Sequence, residues 1–190
     1  MQAEELHSKL SQKRLSKSEE NDLTNELLNY PALVLPLIQH VFQEEKKGLF
    51  MASWVLDHLL RKDLSLLLPH VDFLIVGLPK IQSDSSIRPM AHCCEMILVK
   101  VYEKKDPVYT KAINTKHKEI LLSTNFDWLI GPYRAATKVF AMTNVYYLGK
   151  DLDWVHPELT SVLQETLSEG STAYQNRGSK ILKRLAEESR

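Results

Sequence analysis

The chain has few glycines, only two cysteines and no excess of either charge, and each shortage excludes a class of protein. Six glycines among 190 residues are too few for an all-β fold with many tight turns. The two cysteines, Cys93 and Cys94, are adjacent, and neighbouring residues on a helix cannot reach disulfide geometry. We therefore expect a helical protein with reduced thiols.

The charge balance argues against a nucleic acid as the main partner. The 24 basic residues equal the 24 acidic ones, whereas proteins that bind a phosphate backbone usually carry a basic excess. A locally basic groove would be needed for nucleic acid to bind. No stretch approaches 18 uninterrupted apolar residues, and the N-terminal residues lack a basic region followed by an apolar run. We expect a cytoplasmic protein with no membrane partner.

Apolar residues recur at helical spacing along most of the chain. The clearest stretch runs from Asp84 to Val101, where the residues at i, i+4, i+7, i+11 and i+14 are Ile87, Ala91, Cys94, Leu98 and Val101. Similar stretches predict about ten helices in five antiparallel hairpins, an all-α fold. One of these helices is expected to run from Pro31 to about Lys46 and to be closed by Gly48.

Two features recur among the predicted hairpins. A proline follows the expected cap of three first helices by six residues, in the pairs Tyr30 and Pro36, Asp63 and Pro69, and Asp151 and Pro157. This offset predicts a shared bend. An arginine also lies near the start of three second helices, at Arg88, Arg134 and Arg177. We expect these arginines to connect one repeat to the next, with Asp84 as a candidate partner of Arg88.

The stretch Asp84-x-x-Ile87-Arg88-x-x-Ala91 resembles the aspartate, valine-arginine and alanine pattern of the HEAT and armadillo-like repeat family. The resemblance implies a right-handed α-α superhelix whose concave face binds a peptide, a helix or another domain. Residues 1–190 would then form a single helical-repeat domain, with residues 1–30 as an N-terminal capping hairpin and residues 31–188 as HEAT-like hairpins.

A weaker resemblance links the whole chain to short uncharacterised bacterial repeat proteins, some of which carry the label adenylosuccinate lyase. That label implies a loop of the form Ser-Ser-x-Met-Pro-x-Lys-x-Asn-Pro. Residues 85–90 resemble only the beginning of that loop and no Lys-x-Asn-Pro follows. Lyases of that family are also much longer than this chain, so a lyase activity is disfavoured.

The sequence contains no recognisable catalytic, metal or cofactor motif. Phosphate loops, dinucleotide fingerprints and zinc or calcium spacings are absent. His92, Cys93 and Cys94 fan out by about 100° each on a helix and therefore cannot converge on a metal. Asp57 and His58 with Arg61 would suit acid-base chemistry, but no nucleophile pattern lies nearby and adjacent residues do not face each other. We therefore expect them at an exposed helix end. No cofactor, metal or catalytic residue is predicted.

We therefore expect a non-enzymatic scaffold that binds a protein or peptide on its concave face. The predicted contact residues lie on the central helix and its neighbours: Trp54, His92, Glu95 and Lys138. One enzymatic alternative stays open, because some HEAT-like proteins bind DNA and excise alkylated bases with aromatic residues and a carboxylate. Trp54, Trp128 and Asp57, together with Arg88 or Arg134, supply the residue types that base stacking and a developing cationic sugar require.

Overall fold

The computed structural model describes residues 1–11, 14–43 and 51–188, and all regular structure in these ranges is helical, without a strand. The all-α prediction is therefore confirmed. The helix expected to end near Lys46 ends at Val41, and Lys46 and Gly48 lie outside the described residues. The described α-helices are α1 (Ala3–Ser11), α2 (Lys17–Leu27), α3 (Val34–Val41), α4 (Met51–Lys62), α5 (Val71–Gly77), α6 (Asp84–Leu98), α7 (Pro107–Ala112), α8 (Thr115–Ile130), α9 (Ala135–Leu148), α10 (Val155–Thr166) and α11 (Thr172–Glu188).

Short segments of other helical types join several of these helices. The 3₁₀ segments are Pro31–Leu33, Leu64–His70, Leu78–Lys80, Gly149–Asp151 and Leu167–Glu169, and a π-helical turn covers Val99–Glu103. Within the described ranges, none of the helices combines the length and the apolar character that a membrane crossing requires.

The chain divides into two compact units, Met1–Met96 and Ile97–Arg190. In the first unit, α4 packs against α2 and α3. Its core face carries Ala52, Val55 and Leu59, which are fully buried and recur at the spacing of one helical face. The single helical-repeat domain over residues 1–190 stays a prediction.

The second unit is built around α9, which packs against α8, α10 and α11. Residues 141–149 of this helix and the following turn are all buried, as expected for a helix that is covered on every side. One polar contact lies inside this core: the Asn144 side-chain amide donates a hydrogen bond to Asn125 Oδ1 at 2.8 Å. The Asn125 amide in turn donates to the carbonyl of Leu121 at 2.8 Å.

Two of the three prolines predicted to bend a helix lie in the first turn of an α-helix. Pro36 and Pro157 are the third residues of α3 and α10, and Pro69 lies in the 3₁₀ segment before α5. Asp63 caps that 3₁₀ segment, whereas Asp151 is the last residue of the 3₁₀ segment before α10 and caps no α-helix. Because first-turn amides have no intrahelical acceptor, a proline at either position removes no bond from its α-helix. The shared bend stays a prediction.

Helix α6 follows the apolar pattern predicted for it. Ile87, Ala91 and Cys94 are fully buried, so the predicted apolar face is confirmed. Both cysteines are reduced and buried, as expected. The helix begins at Asp84, which places Pro89 in its second turn. The missing amide of Pro89 therefore removes one bond from the helical ladder.

Candidate functional site

Three of the four predicted contact residues, Trp54, His92 and Glu95, lie in the first unit. Trp54 belongs to α4, whereas His92 and Glu95 belong to α6, and all three are partly exposed. Lys138 lies on α9 in the second unit and is also partly exposed. The structure therefore places the first three on two helices of one unit, and α4 and α6 meet there around Asp57.

Asp57 is fully buried, which corrects the prediction of an exposed helix end. The local periodicity could not reveal this, because the partner that covers Asp57 is 35 positions away in the sequence. His92 Nδ1 lies 2.5 Å from Asp57 Oδ1, and Arg61 Nη2 lies 2.6 Å from Oδ2. A buried charge is tolerated only when it is paired, so these two contacts allow the carboxylate to lie between α4 and α6.

The exposed side of this cluster is formed by an arginine over a tryptophan. The Arg88 guanidinium carbon lies 5.1 Å from the centre of the Trp54 indole, within the range of a cation–π interaction. The His58 ring meets the same indole edge-on at 6.5 Å. His58 Nδ1 lies 3.0 Å from Glu20 Oε1, so Trp54 is held among charged and polar side chains.

The buried thiol of Cys93 lies next to this cluster. Cys93 Sγ lies 4.0 Å from Asp57 Oδ1. Burial raises the pKa of the Cys93 thiol well above its ordinary value, and the charge of Asp57 raises it further. A thiol that stays protonated is neither a good nucleophile nor a metal ligand. Among the described residues, no group of three His, Cys, Asp or Glu side chains could hold a metal ion.

The three predicted repeat arginines have different surroundings. Arg88 lies over Trp54, as described above. Arg134 is exposed at the N-cap of α9, where its side chain makes no capping hydrogen bond. Arg177 on α11 donates a hydrogen bond from Nη1 to Thr143 Oγ1 on α9 at 2.8 Å. This contact connects two packed helices of the second unit.

An open cleft of about 550 Å³ lies between α8 and the beginning of α10 in the second unit. Three large apolar side chains of this cleft are exposed: Ile130 by 63%, Trp154 by 57% and Leu152 by 38%. Clustered exposed apolar residues commonly mark an interaction site. The complete lining is Glu119, Leu122, Ser123, Phe126, Asp127, Ile130, Leu152, Trp154, Glu158 and Val162.

Helix α8 forms one wall of the cleft because it has two apolar stripes. Leu121 and Leu129 are buried in the core of the unit. Leu122, Phe126 and Ile130 line the cleft and lie at i, i+4 and i+8, which places them together on a second face of the helix. This second stripe is the sequence signal for the cleft, and the predictions made from sequence did not use it.

Trp154 forms the opposite wall, immediately before α10. It is the N-cap residue of that helix, and the next residue, Val155, is fully buried. The Trp154 indole stacks on Phe126 with ring centres 6.0 Å apart and planes inclined by 13°. Large aromatic side chains of this kind are enriched at protein interfaces. The cleft therefore offers an aromatic pair that is already in place.

The charges of the cleft are all of one sign. Glu119, Asp127 and Glu158 line it, and its lining contains no lysine, arginine or histidine. None of the three carboxylates forms an ion pair with another described residue. The cleft thus combines an apolar floor with an acidic rim.

No family model, curated protein or solved structure matches this chain. A helical fold by itself does not specify a function, so the function of this chain has to be inferred from the geometry of the two sites described above.

Proposed function

We propose that this chain is a non-enzymatic helical-repeat protein that binds another protein through the cleft between α8 and α10. The observation that carries the proposal is the exposure of Ile130 and Trp154 in one cleft. Exposed apolar surface of this kind is costly in water, and a partner would cover it. The partner is accordingly a protein or peptide.

A finer proposal concerns the arrangement of the helices. The helices would form a right-handed α-α superhelix of about five hairpins, as in HEAT and armadillo-like repeats. Support comes from the second unit, where α8 packs on α9, α9 on α10 and α10 on α11. Contacts between sequence neighbours are the rule in such repeats. The contact of Arg177 with Thr143 also fits the connecting role predicted for the repeat arginines.

The binding proposal is tested with two matched variants. Ile130→Gln replaces an apolar residue in the cleft, whereas Val108→Gln replaces one on α7 that is 56% exposed and does not line the cleft. Each immobilised variant is used to capture proteins from an extract of the native host. We expect a protein that wild type and Val108→Gln retain and Ile130→Gln loses. If every captured protein is retained equally by both variants, the cleft is not the binding site.

The DNA-repair alternative keeps one observation in its favour. Trp54, Asp57 and Arg88, three of the residues it requires, lie in the same cluster of the first unit. Against it, the Asp57 side chain is only 1% exposed and already paired. Trp128 is 3% exposed and therefore cannot stack on a base. A DNA-binding assay at low salt tests the alternative, because phosphate contacts are strongest there, and absence of binding would exclude it.

A further inference from the structure

We infer that the cleft between α8 and α10 binds an amphipathic α-helix of about three turns that carries lysine or arginine along its flanks. This inference rests on the proposed function and names the class of its partner. It follows from the shape, the backbone and the charge of the cleft.

The length of the cleft matches a short helix. The lining residues of α8 run from Glu119 to Ile130. Eleven steps along a helix span roughly 16 Å at about 1.5 Å per residue. Leu152, Trp154, Glu158 and Val162 face this length from the other side. A partner helix of three turns would lie along the groove with one face toward it.

The backbone of the cleft walls excludes strand addition as the binding mode of a peptide. Extended peptides usually bind by adding a strand to an exposed sheet edge, where unpaired backbone groups receive them. Helices α8 and α10 use their backbone groups within themselves, and no strand is present in the described residues. Side-chain packing is therefore the principal source of affinity here. A helix that presents residues at i, i+3, i+4 and i+7 provides such packing.

The apolar anchors of the partner would meet the exposed part of the cleft. Phe126 and Trp154 stack on each other and hold their positions, so little side-chain entropy is lost when a partner binds. Ile130 is the most exposed of the apolar lining residues. Leucine-sized side chains on the partner helix would fill the space between these three residues.

The acidic charge of the cleft favours a partner helix with basic residues along its flanks. Glu119, Asp127 and Glu158 meet no basic residue in the lining, so an acidic flank on the partner would be repelled. Lysine or arginine on the flanks would be attracted. Contacts at an exposed rim act mainly on the association rate and on specificity, and salt screens them. The preference for a basic partner should therefore weaken as salt is added.

Three synthetic peptides of about 11 residues, the length of three helical turns, test the inference. The first places leucines on one helical face and lysines on its flanks. The second has glutamates in place of the lysines, and the third has the composition of the first with its leucines spread around the helix. Affinity is measured by titration calorimetry. Because the chain has three tryptophans, a change in emission that Trp154→Phe abolishes reports contact with the cleft.

We expect the lysine peptide to bind at least about tenfold more tightly than the glutamate peptide at low salt, and the third peptide not to bind. Asp127→Lys should lower the affinity for the lysine peptide and raise the affinity for the glutamate peptide. Glu165→Lys is the matched control, because Glu165 is an exposed residue of α10 outside the cleft lining. Ile130→Gln should weaken the binding of the two peptides that have their leucines on one face. The circular dichroism spectrum of this variant should equal that of wild type.

The outcomes separate this inference from the proposed function. Equal binding of the lysine and glutamate peptides overturns the basic partner, and equal binding of the third peptide overturns the helical partner. Self-association that Ile130→Gln abolishes also overturns it, because a second copy then fills the cleft. If no peptide binds while the extract still contains a protein that depends on Ile130, the inference fails and the proposed function stands. If both experiments fail, both proposals fall.

Discussion

Asp57 and His92 contact each other, but we expect their replacements to destabilise the fold by different amounts. The reason is that the Asp57 carboxylate is buried. The Asp57 side chain is 1% exposed, whereas His92 is 21% and Arg61 is 48% exposed. Replacing His92 leaves a charge in the interior with one partner fewer. Replacing Asp57 leaves side chains that can turn toward water. The cost should therefore depend on which partner is removed.

The expected magnitudes follow from this difference. Removing one partner of a buried charge costs about 3–5 kcal/mol when nothing else compensates the charge. Arg61 remains beside Asp57 in His92→Phe, so we expect about 2–3 kcal/mol for that variant. Asp57→Asn keeps the shape of the side chain and one oxygen that accepts hydrogen bonds. It removes the buried charge and therefore leaves no charge without a partner. For that variant we expect about 1 kcal/mol.

Urea unfolding followed by far-UV circular dichroism measures both variants, with the free energy of unfolding taken from the midpoint at constant slope. The double variant should cost less than the sum of the two single variants, because the residues are in contact. His70→Phe is the matched control, since His70 is a partly exposed histidine of the first unit. The reasoning is refuted if Asp57→Asn costs as much as His92→Phe, or if the two costs add.

Further predictions concern the thiols, the alkaline limit of stability and the polar contact in the second core. The two fully buried cysteines should react with a thiol reagent only on unfolding, so rapid labelling of the native chain would contradict their burial. Burial raises the pKa of Tyr102 and Tyr147, and hydrogen bonds to Asp151 and Glu103 raise it further. The folded chain therefore retains these protons above pH of about 10, where an unfolded tyrosine loses them. Stability should be complete below that pH and fall above it, and Phe variants should flatten the fall in unfolding titrations. Asn125→Leu should cost about 1–3 kcal/mol because it leaves the buried Asn144 amide without this acceptor. The Asn125→Leu and Asn144→Leu double variant should recover part of that loss in urea unfolding.

The features that could be predicted from sequence are the ones that depend on neighbours along the chain. The buried face of α6 follows from the spacing of Ile87, Ala91 and Cys94, because a helix turns by a fixed angle per residue. The contact of Asp57 with His92 joins positions on different helices. No local spacing encodes such a contact, and so Asp57 was placed at an exposed helix end.

The prolines show why the start of a helix is hard to place from a sequence pattern. Each proline follows its expected cap residue by six positions. This spacing alone does not determine where the helix begins. At Pro157 the preceding residues form a 3₁₀ segment and a turn, so the α-helix begins four residues after Asp151. A proline in a first turn and a proline inside a helix have the same sequence signature when the beginning of the helix is unknown.

The cleft was missed because an apolar stripe on a helix does not say whether another element covers it. On α8, Leu129 and Ile130 are equally apolar neighbours, yet the first is 1% exposed and the second 63%. Trp54 and Trp154 also differ in how much of the side chain other residues cover. Arg88 lies over the first, whereas the second stacks on Phe126 and still exposes 57% of its surface. Because binding energy comes from apolar surface that a partner can still remove from water, exposure shifts the candidate site from the predicted Trp54 to Trp154. Ile130→Gln tests that shift directly.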